Sequence, residues 1–437
     1  MKDLTPLGIT NFRNSKQPFG IHDTDRMGHI YVIGKTGVGK STLLLNMAIS
    51  DAEKGKGFCI IDPHGDIAET ILHYIPQERI HEVIYFNPQD IEYPIGFNPL
   101  KGVHPNHHHL VAAGLISTFK KIWAESWGPR LEYILRFCLL TLLDYPDATL
   151  LDIQPLLTDP AFRNRVLSYT NNQHVLSFWK QEFEKYPPAL KAEAITPILN
   201  KTGIFLSCIP LRNIVGQKTR SFNMQQVLDE GKILIANLSK GTIGEDASAI
   251  LGSILVTSIQ LAALYRVTQS EHERKPFYLY VDEMHSFVSL SFADILAEAR
   301  KYRLSLFLTH QYIEQLHEKI RAAIFGNVGT FISFRIGATD AEYVAKEFTP
   351  SFDESDFVSL PKYHMYIKLM IDGATSKPFS AITLPPTSFN ASYKNKIVIK
   401  SQQQFARSRE LVEKSILKRM PTILPDDSNG NNQLFQL

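Results

Sequence analysis

The stretch YVIGKTGVGKST, Tyr31 to Thr42, sets an apolar run before a glycine-rich bend, a lysine and two hydroxyls. Gly34, Gly39, Lys40 and Ser41 fit GxxxxGK[ST], and Lys35, Thr36, Gly37, Val38 and Thr42 complete the loop. Glycines let backbone N–H groups curl around phosphate oxygens, and the following helix turns its positive end toward them. Lys40 then reaches the outer phosphates and Ser41 ligates magnesium, so the cofactors expected are ATP and Mg2+. Such a loop serves kinases, switches and motors alike.

A second constellation narrows the choice. In FYLYVDE an apolar strand from Phe277 to Val281 delivers Asp282 and Glu283 at its carboxyl end, where open parallel sheets place ligands. Asp282 is expected at the magnesium shell, and Glu283 is expected to orient and deprotonate the attacking water. A third strand, LSLFLTHQ, ends in Gln311, which becomes a γ-phosphate sensor if this strand lies between the other two. His310 beside it reads as structurally satisfied. The helical segment FADILAEARKYRL carries Arg300, Lys301 and Arg303. From residue chemistry alone, Arg300 is as readily a guanidinium lent to a neighbouring subunit as part of a solvated basic face.

The elements that must position these groups follow from periodicity. Residues 30 to 100 alternate short β-branched runs with helical patterns, which predicts parallel α/β. From about His104 to Lys201 the pattern turns wholly helical, and strands return from Lys232 onward, so the helical block is inserted into a sheet. The predicted organisation is an α/β, RecA-like P-loop ATPase sheet with an inserted all-helical domain. Residues 1–103 form the first part of the ATPase domain, 104–201 the insertion, and 202–390 the second part. Residues 391–437 form a C-terminal extension with a strand-like KIVIK, a charged helix and a mobile polar tail.

Composition excludes little. The 46 basic and 44 acidic side chains give a net charge of +2, so any nucleic-acid surface must be a local patch or channel. Cys59, Cys138 and Cys208 lie far apart with no CxxC spacing, which fits reduced thiols and a cytoplasmic setting. The uncharged run Ala249 to Tyr265 is broken by Ser253, Thr257, Ser258 and Gln260 and reads as a buried helix rather than a membrane span.

Taken together, GKTGVGKST, IIDPHGD, YFNP with GFNPL, VDEMHSF, AEARKYRLSLFLTHQ and GNVGTFISFRIGATDAE occur in an order that resembles the FtsK/HerA class of P-loop motors. Within that class the chain is most similar to the conjugative DNA-transfer coupling proteins of type IV secretion, VirD4-like or TraG/TraD-like. The resemblance implies a homohexameric ring that hydrolyses ATP and moves DNA, gripped by its backbone, through a central channel. It also implies type IV secretion or relaxosome-like partners and recruitment to the inner face of the membrane. Carried over by position, it makes Arg300 the arginine finger and Arg335 a second intersubunit candidate, and it lets Arg26 in DTDRMGH approach the nucleotide. No transmembrane helix is expected, and the roughly 28 residues before HIYVIG are too few for the β-barrel of other class members. The alternatives are a VirB4-like secretion ATPase, a HerA-like DNA-processing translocase and a nucleotide-gated scaffold.

Three further features read less sharply. Asp62 and Asp66 in IIDPHGD either support the site or accompany a turn made by Pro63 and Gly65. His104, His107, His108 and His109 read as cap or surface residues rather than a metal site. Trp123, Trp127 and Trp179 read as core aromatics, and Lys240 in NLSKGTIGED is a candidate DNA contact.

Overall fold

In the computed structural model, residues 3–11, 16–290, 292–386, 388 and 391–419 are described. The strands in chain order are β1 (Leu4–Thr10), β2 (Pro18–His22), β3 (Ile30–Ile33), β4 (Gly57–Asp62), β5 (Val83–Phe86), β6 (Ile233–Asn237) and β7 (Phe277–Val281). They continue with β8 (Leu304–His310), β9 (Thr330–Ser333), β10 (His364–Lys368), β11 (Met370–Ile371), β12 (Ala374–Thr375) and β13 (Phe379–Thr383). One sheet takes the order β2-β1-β13-β10-β9-β3-β8-β7-β4-β6-β5, and β11 pairs with β12 separately. From β9 to β5 every neighbour is parallel. Beyond β9 the pairing is antiparallel.

The five central strands β3, β8, β7, β4 and β6 are buried at every position. That is the pattern of a parallel sheet covered on both faces. Tyr31, Ile33, Cys59 and Ile61 face one core, where the Glu245–Tyr265 helix and the helical block pack. Ile30, Val32, Phe58 and Ile60 face the other, filled by Leu43, Leu44 and Met47 of the Lys40–Glu53 helix. The apolar run read as a core helix is the Glu245–Tyr265 helix, and 67% of its most apolar stretch lies inside the molecule.

The helical block enters after β5 and returns at β6, the strand that pairs with β5 in parallel. Its helical character runs past residue 201, through Ile204–Ser207, Ile209–Val215 and Met224–Glu230. Pro210 falls in the first turn of its helix, where a missing N–H costs nothing. Trp179 is fully enclosed and donates to Thr141 Oγ1 at 2.8 Å, and Trp123 stacks on Phe119. Among the described residues no His, Cys, Asp and Glu group has metal-site geometry, and His108 pairs with Asp144 at 3.1 Å.

HIYVIG, read as the first strand, is the third, and the strand-like reading of KIVIK is corrected as well. The segment before HIYVIG supplies β1 and β2, which extend the antiparallel edge; Pro6 and Gly8 hide β1 in the sequence and mark a register shift in its pairing. KIVIK is helical, within Lys394–Phe405, because its buried positions Ile397 and Ser401 are four apart. Ser401 Oγ accepts the Tyr85 N–H at 2.9 Å, which fastens this helix along β5. The polar tail PDDSNGNNQLFQL lies outside the described residues.

Arg26 is also corrected: it is 1% exposed and does not approach the phosphate loop. Its guanidinium forms a two-pronged pair with Asp51 at 2.7 and 2.8 Å, donates to Tyr280 Oη at 2.7 Å and lies 3.7 Å above the Tyr278 ring. It therefore joins the far end of the Lys40–Glu53 helix to β7. Asp51→Asn would leave that buried cation with only the more distant Asp23 carboxylate, at 3.8 Å, and equilibrium denaturation should show a loss of about 3–5 kcal/mol. A loss below about 1 kcal/mol, the size of an exposed pair, would contradict this account.

Candidate active site

β3 ends at Ile33, and the loop after it turns back into the Lys40–Glu53 helix. Gly37 and Gly39 take φ values of 75° and 127°, which side-chain-bearing residues rarely adopt. A Cβ on Gly39 would also lie 3.0 Å from the Tyr363 ring. The loop is braced from both sides: Gly34 N–H donates to the His310 carbonyl at 3.2 Å and Lys35 N–H to the Arg335 carbonyl at 2.9 Å. Ser41 is exposed and Thr42 half-buried at the start of the helix. The Lys40 ammonium is buried and donates to the Gly34 and Lys35 carbonyls at 2.5 and 2.9 Å. Burial lowers its pKa, while Asp282 and Glu283 pull it back up.

β7 runs two strands away from β3 and delivers Asp282 and Glu283 to the same end of the sheet. β8 lies between them, as the sensor assignment requires. Asp282 is 5% exposed, and its carboxylate accepts a hydrogen bond from Thr309 Oγ1, whose oxygen in turn accepts the Glu283 N–H at 3.1 Å. Burial raises the Asp282 pKa, opposed by Thr309 and reinforced by Asp62. An enclosed carboxylate across from a buried lysine and an exposed helix-start hydroxyl suits a hydrated magnesium ion, which Asp282 and Ser41 would hold.

Gln311 joins the two halves. Its Nε2 donates to Glu283, and its Oε1 accepts from Thr36 Oγ1 at 3.2 Å. Gln311 thus touches both the phosphate loop and the Glu283 carboxylate. His310 is enclosed, bonds Tyr31 Oη through Nδ1 at 3.2 Å, and is pushed down to about 3 by burial with help from His285 and Lys40. The imidazole is neutral, but its buried Nε2 has no hydrogen-bond partner among the described residues, so it is only partly satisfied.

Three residues around Glu283 were not anticipated. His64 Nε2 lies 3.0 Å from the Glu283 carboxylate, and Lys240 Nζ lies 3.6 Å from it. Lys240 therefore faces this site. Thr309 is the third, one of a row of polar residues closing LSLFLTHQ. His64 is projected by a turn that Asp62 builds: its carboxylate accepts N–H bonds from His64, Ile67 and Ala68 at 2.9, 2.8 and 3.0 Å. Asp62 supports the turn and, through it, the site, which unites the two readings of IIDPHGD; Asp66 is exposed.

The arginines fall at opposite ends of the sheet. Arg300 is exposed in the Ala299–Tyr302 turn that leads into β8, and its charge adds to the burial that pushes His29 down to about 4. Seven residues of β8 separate it from Gln311, a rise of about 20 Å. Arg300 cannot reach its own chain's phosphate loop. Arg335, expected as a second intersubunit arginine, emerges from β9 with an exposed side chain, and its carbonyl accepts the Lys35 N–H.

The His64 pair gives a titration that checks this geometry. Burial lowers the half-exposed imidazole's pKa, but the hydrogen bond and charge of Glu283 outweigh it, so the value stands above 6.5. The pair is complete below that ordinary value and is lost as pH rises through the raised one. NMR titration of His64 should show a downward shift in Glu283→Gln, and an unchanged value would contradict the contact.

Comparison with known proteins places the fold. The plasmid coupling protein TrwB bound to the non-hydrolysable ATP analogue ADPNP superposes with a TM-score of 0.64 at 17% identity, covering 90% of this chain and 91% of that one. TrwB with ADP and Mg2+ gives 0.59 at 14% identity over 88% and 91%. VirB4 of Thermoanaerobacter pseudethanolicus gives 0.55 at 14% identity over 90% and 97%. No curated protein sequence matches. Residues 19–352 match the family described as the type IV secretion-system coupling protein DNA-binding domain, and the chain belongs to that family.

Proposed function

We propose that this protein is an ATP-driven DNA translocase of the conjugative coupling type, working as a homohexameric ring that draws DNA through its channel. The observation that carries the reading is Gln311, bonded at once to Thr36 of the phosphate loop and to Glu283. A kinase or a switch has no need of a glutamate tied to its γ-phosphate side; a motor does, because hydrolysis must be registered by neighbouring elements. The family match adds DNA as the partner.

In this reading Lys40 exchanges its carbonyl partners for phosphate oxygens. Magnesium, held through Ser41 and Asp282, would neutralise charge on the phosphates. Glu283 accepts the proton of the attacking water, and Gln311 changes partner when the γ-phosphate leaves. Arg300, exposed at the other end of the strands, is supplied to the site of the adjacent subunit. Hydrolysis then requires two correctly seated protomers, and DNA contact is through the backbone without sequence preference. Action at the cytoplasmic face of the membrane, with type IV secretion components, fits this family membership.

A VirB4-like export ATPase is the second reading, favoured by the fold likeness to VirB4 over nearly the whole chain. ATP turnover by the purified oligomer separates the two. Turnover should rise with single-stranded or duplex DNA, Lys40→Ala should abolish both turnover and binding of an ATP analogue, and Arg300→Ala should abolish turnover while leaving binding intact. Turnover indifferent to either DNA would leave the export reading. Absence of turnover in the unaltered protein would leave a nucleotide-gated scaffold.

A further inference from the structure

The turn after Glu283 is held from outside the catalytic motifs. Glu283 has a φ of 46°, a left-handed backbone that a residue with a side chain keeps only when its surroundings impose it. Met284–Ser286 follow as one tight turn. Lys121, in the last turn of the His108–Ile122 helix of the inserted block, donates to the His285 carbonyl at 2.6 Å. Lys240 donates to Ser286 Oγ at 2.8 Å beside the same turn.

Lys121 is an expensive way to hold a carbonyl. Burial, and then the charge of Lys240, push its ammonium down to about 7. A cation enclosed against a main-chain oxygen with a like charge nearby adds little to stability. A positional role accounts for it better.

The helix that carries Lys121 has one anchored side and one open side. It packs along the Glu245–Tyr265 helix, where Gly114 is so close to Thr257 that a Cβ would lie 2.5 Å from its methyl group. That second helix also grips the catalytic segment, through Ser253 Oγ donating to the Phe287 carbonyl at 2.8 Å. On the open side a cavity of about 370 Å³ is lined by Ser117, Lys121, His285, Leu290, Leu316 and Ile320. Leu316 belongs to the segment that follows Gln311. The inserted block, the turn after Glu283 and the chain following Gln311 therefore border one cavity.

We propose that Lys121 is a positioning residue for hydrolysis: through the His285 carbonyl it fixes the turn that aims Glu283, and so transmits displacement of the helical block to the catalytic carboxylate. This rests on the reading of Glu283 as the hydrolytic base. It assigns the helical block a share in setting the turnover rate, in addition to any contact it makes with DNA.

The test uses the full chain, with steady-state ATP turnover, affinity for a fluorescent non-hydrolysable ATP analogue and melting temperature measured for Lys121→Met, Lys121→Arg and Glu283→Gln, with and without DNA. Lys121→Met removes the donor at nearly constant length and should keep analogue affinity while lowering kcat roughly tenfold, the scale set by small errors in catalytic alignment. It should also lose stimulation by DNA, and Lys121→Arg, which keeps a cationic donor, should recover both. Wild-type kcat and undiminished DNA stimulation in Lys121→Met would overturn the proposal. So would a joint fall of kcat, analogue affinity and melting temperature that arginine does not rescue, since that marks a purely structural lysine. If the unaltered protein turns over ATP and Glu283→Gln stops it while Lys121→Met is silent, this inference alone fails. If the unaltered protein does not turn over ATP, the functional reading fails with it.

Discussion

The position of β8 between β3 and β7 is the constraint on which the site depends. Parallel neighbours lie about 4.8 Å apart, so the ends of three adjacent strands come within side-chain reach of one another. β3 contributes the phosphate loop, β7 contributes Asp282 and Glu283, and β8 contributes Thr309 and Gln311 in the gap between them. From that gap Thr309 fastens Asp282, and Gln311 bridges Glu283 to Thr36. Moving β8 to an edge would leave the loop and the two acids intact and disconnected. Arg300 precedes the amino end of the same strand, so one element carries Gln311 at the phosphate-loop end and leads from an exposed arginine at the other.

Burial sets the electrostatics of the site. Lys40 is buried against two carbonyls, and Asp282 is buried against a hydroxyl. Each is held away from its ordinary pKa by burial, Lys40 downward and Asp282 upward. Both shifts express charges that lack their best partners, a pattern characteristic of functional sites. Glu283 differs: His64, Lys240 and Gln311 surround it, and its pKa is lowered in spite of burial. The Glu283 carboxylate is thus held charged and restrained by its neighbours.

Much of this was legible in the sequence, for a definite reason. A long apolar run ending abruptly in polar residues marks a buried parallel strand and its ligand end together, and YVIGKTGVGKST, FYLYVDE and LSLFLTHQ all have that form. Arg26 shows where such reading stops. Its partner Asp51 is 25 residues away and Tyr280 is 254 away, and nothing in DTDRMGH separates a buried arginine from one that faces phosphate. His64 carried a signal that was passed over: a histidine between Pro63 and Gly65, after a strand end, is displayed by the turn those residues make. Lys240 and Lys121 carried none, since their roles arise from how the inserted block and the β6 loop settle on the turn after Glu283. β1 was concealed by its own Pro6 and Gly8, and KIVIK by an alternation that tertiary packing overrode.

The central claim is that each nucleotide site is made by two subunits, with Lys40 and Glu283 from one and Arg300 from the next. Mixing Lys40→Ala with Arg300→Ala subunits, each without ATP turnover alone, tests it directly, because a mixed ring contains junctions where an intact loop meets an intact arginine. The account predicts that turnover reappears on mixing. Mixed rings as inactive as either parent would contradict it.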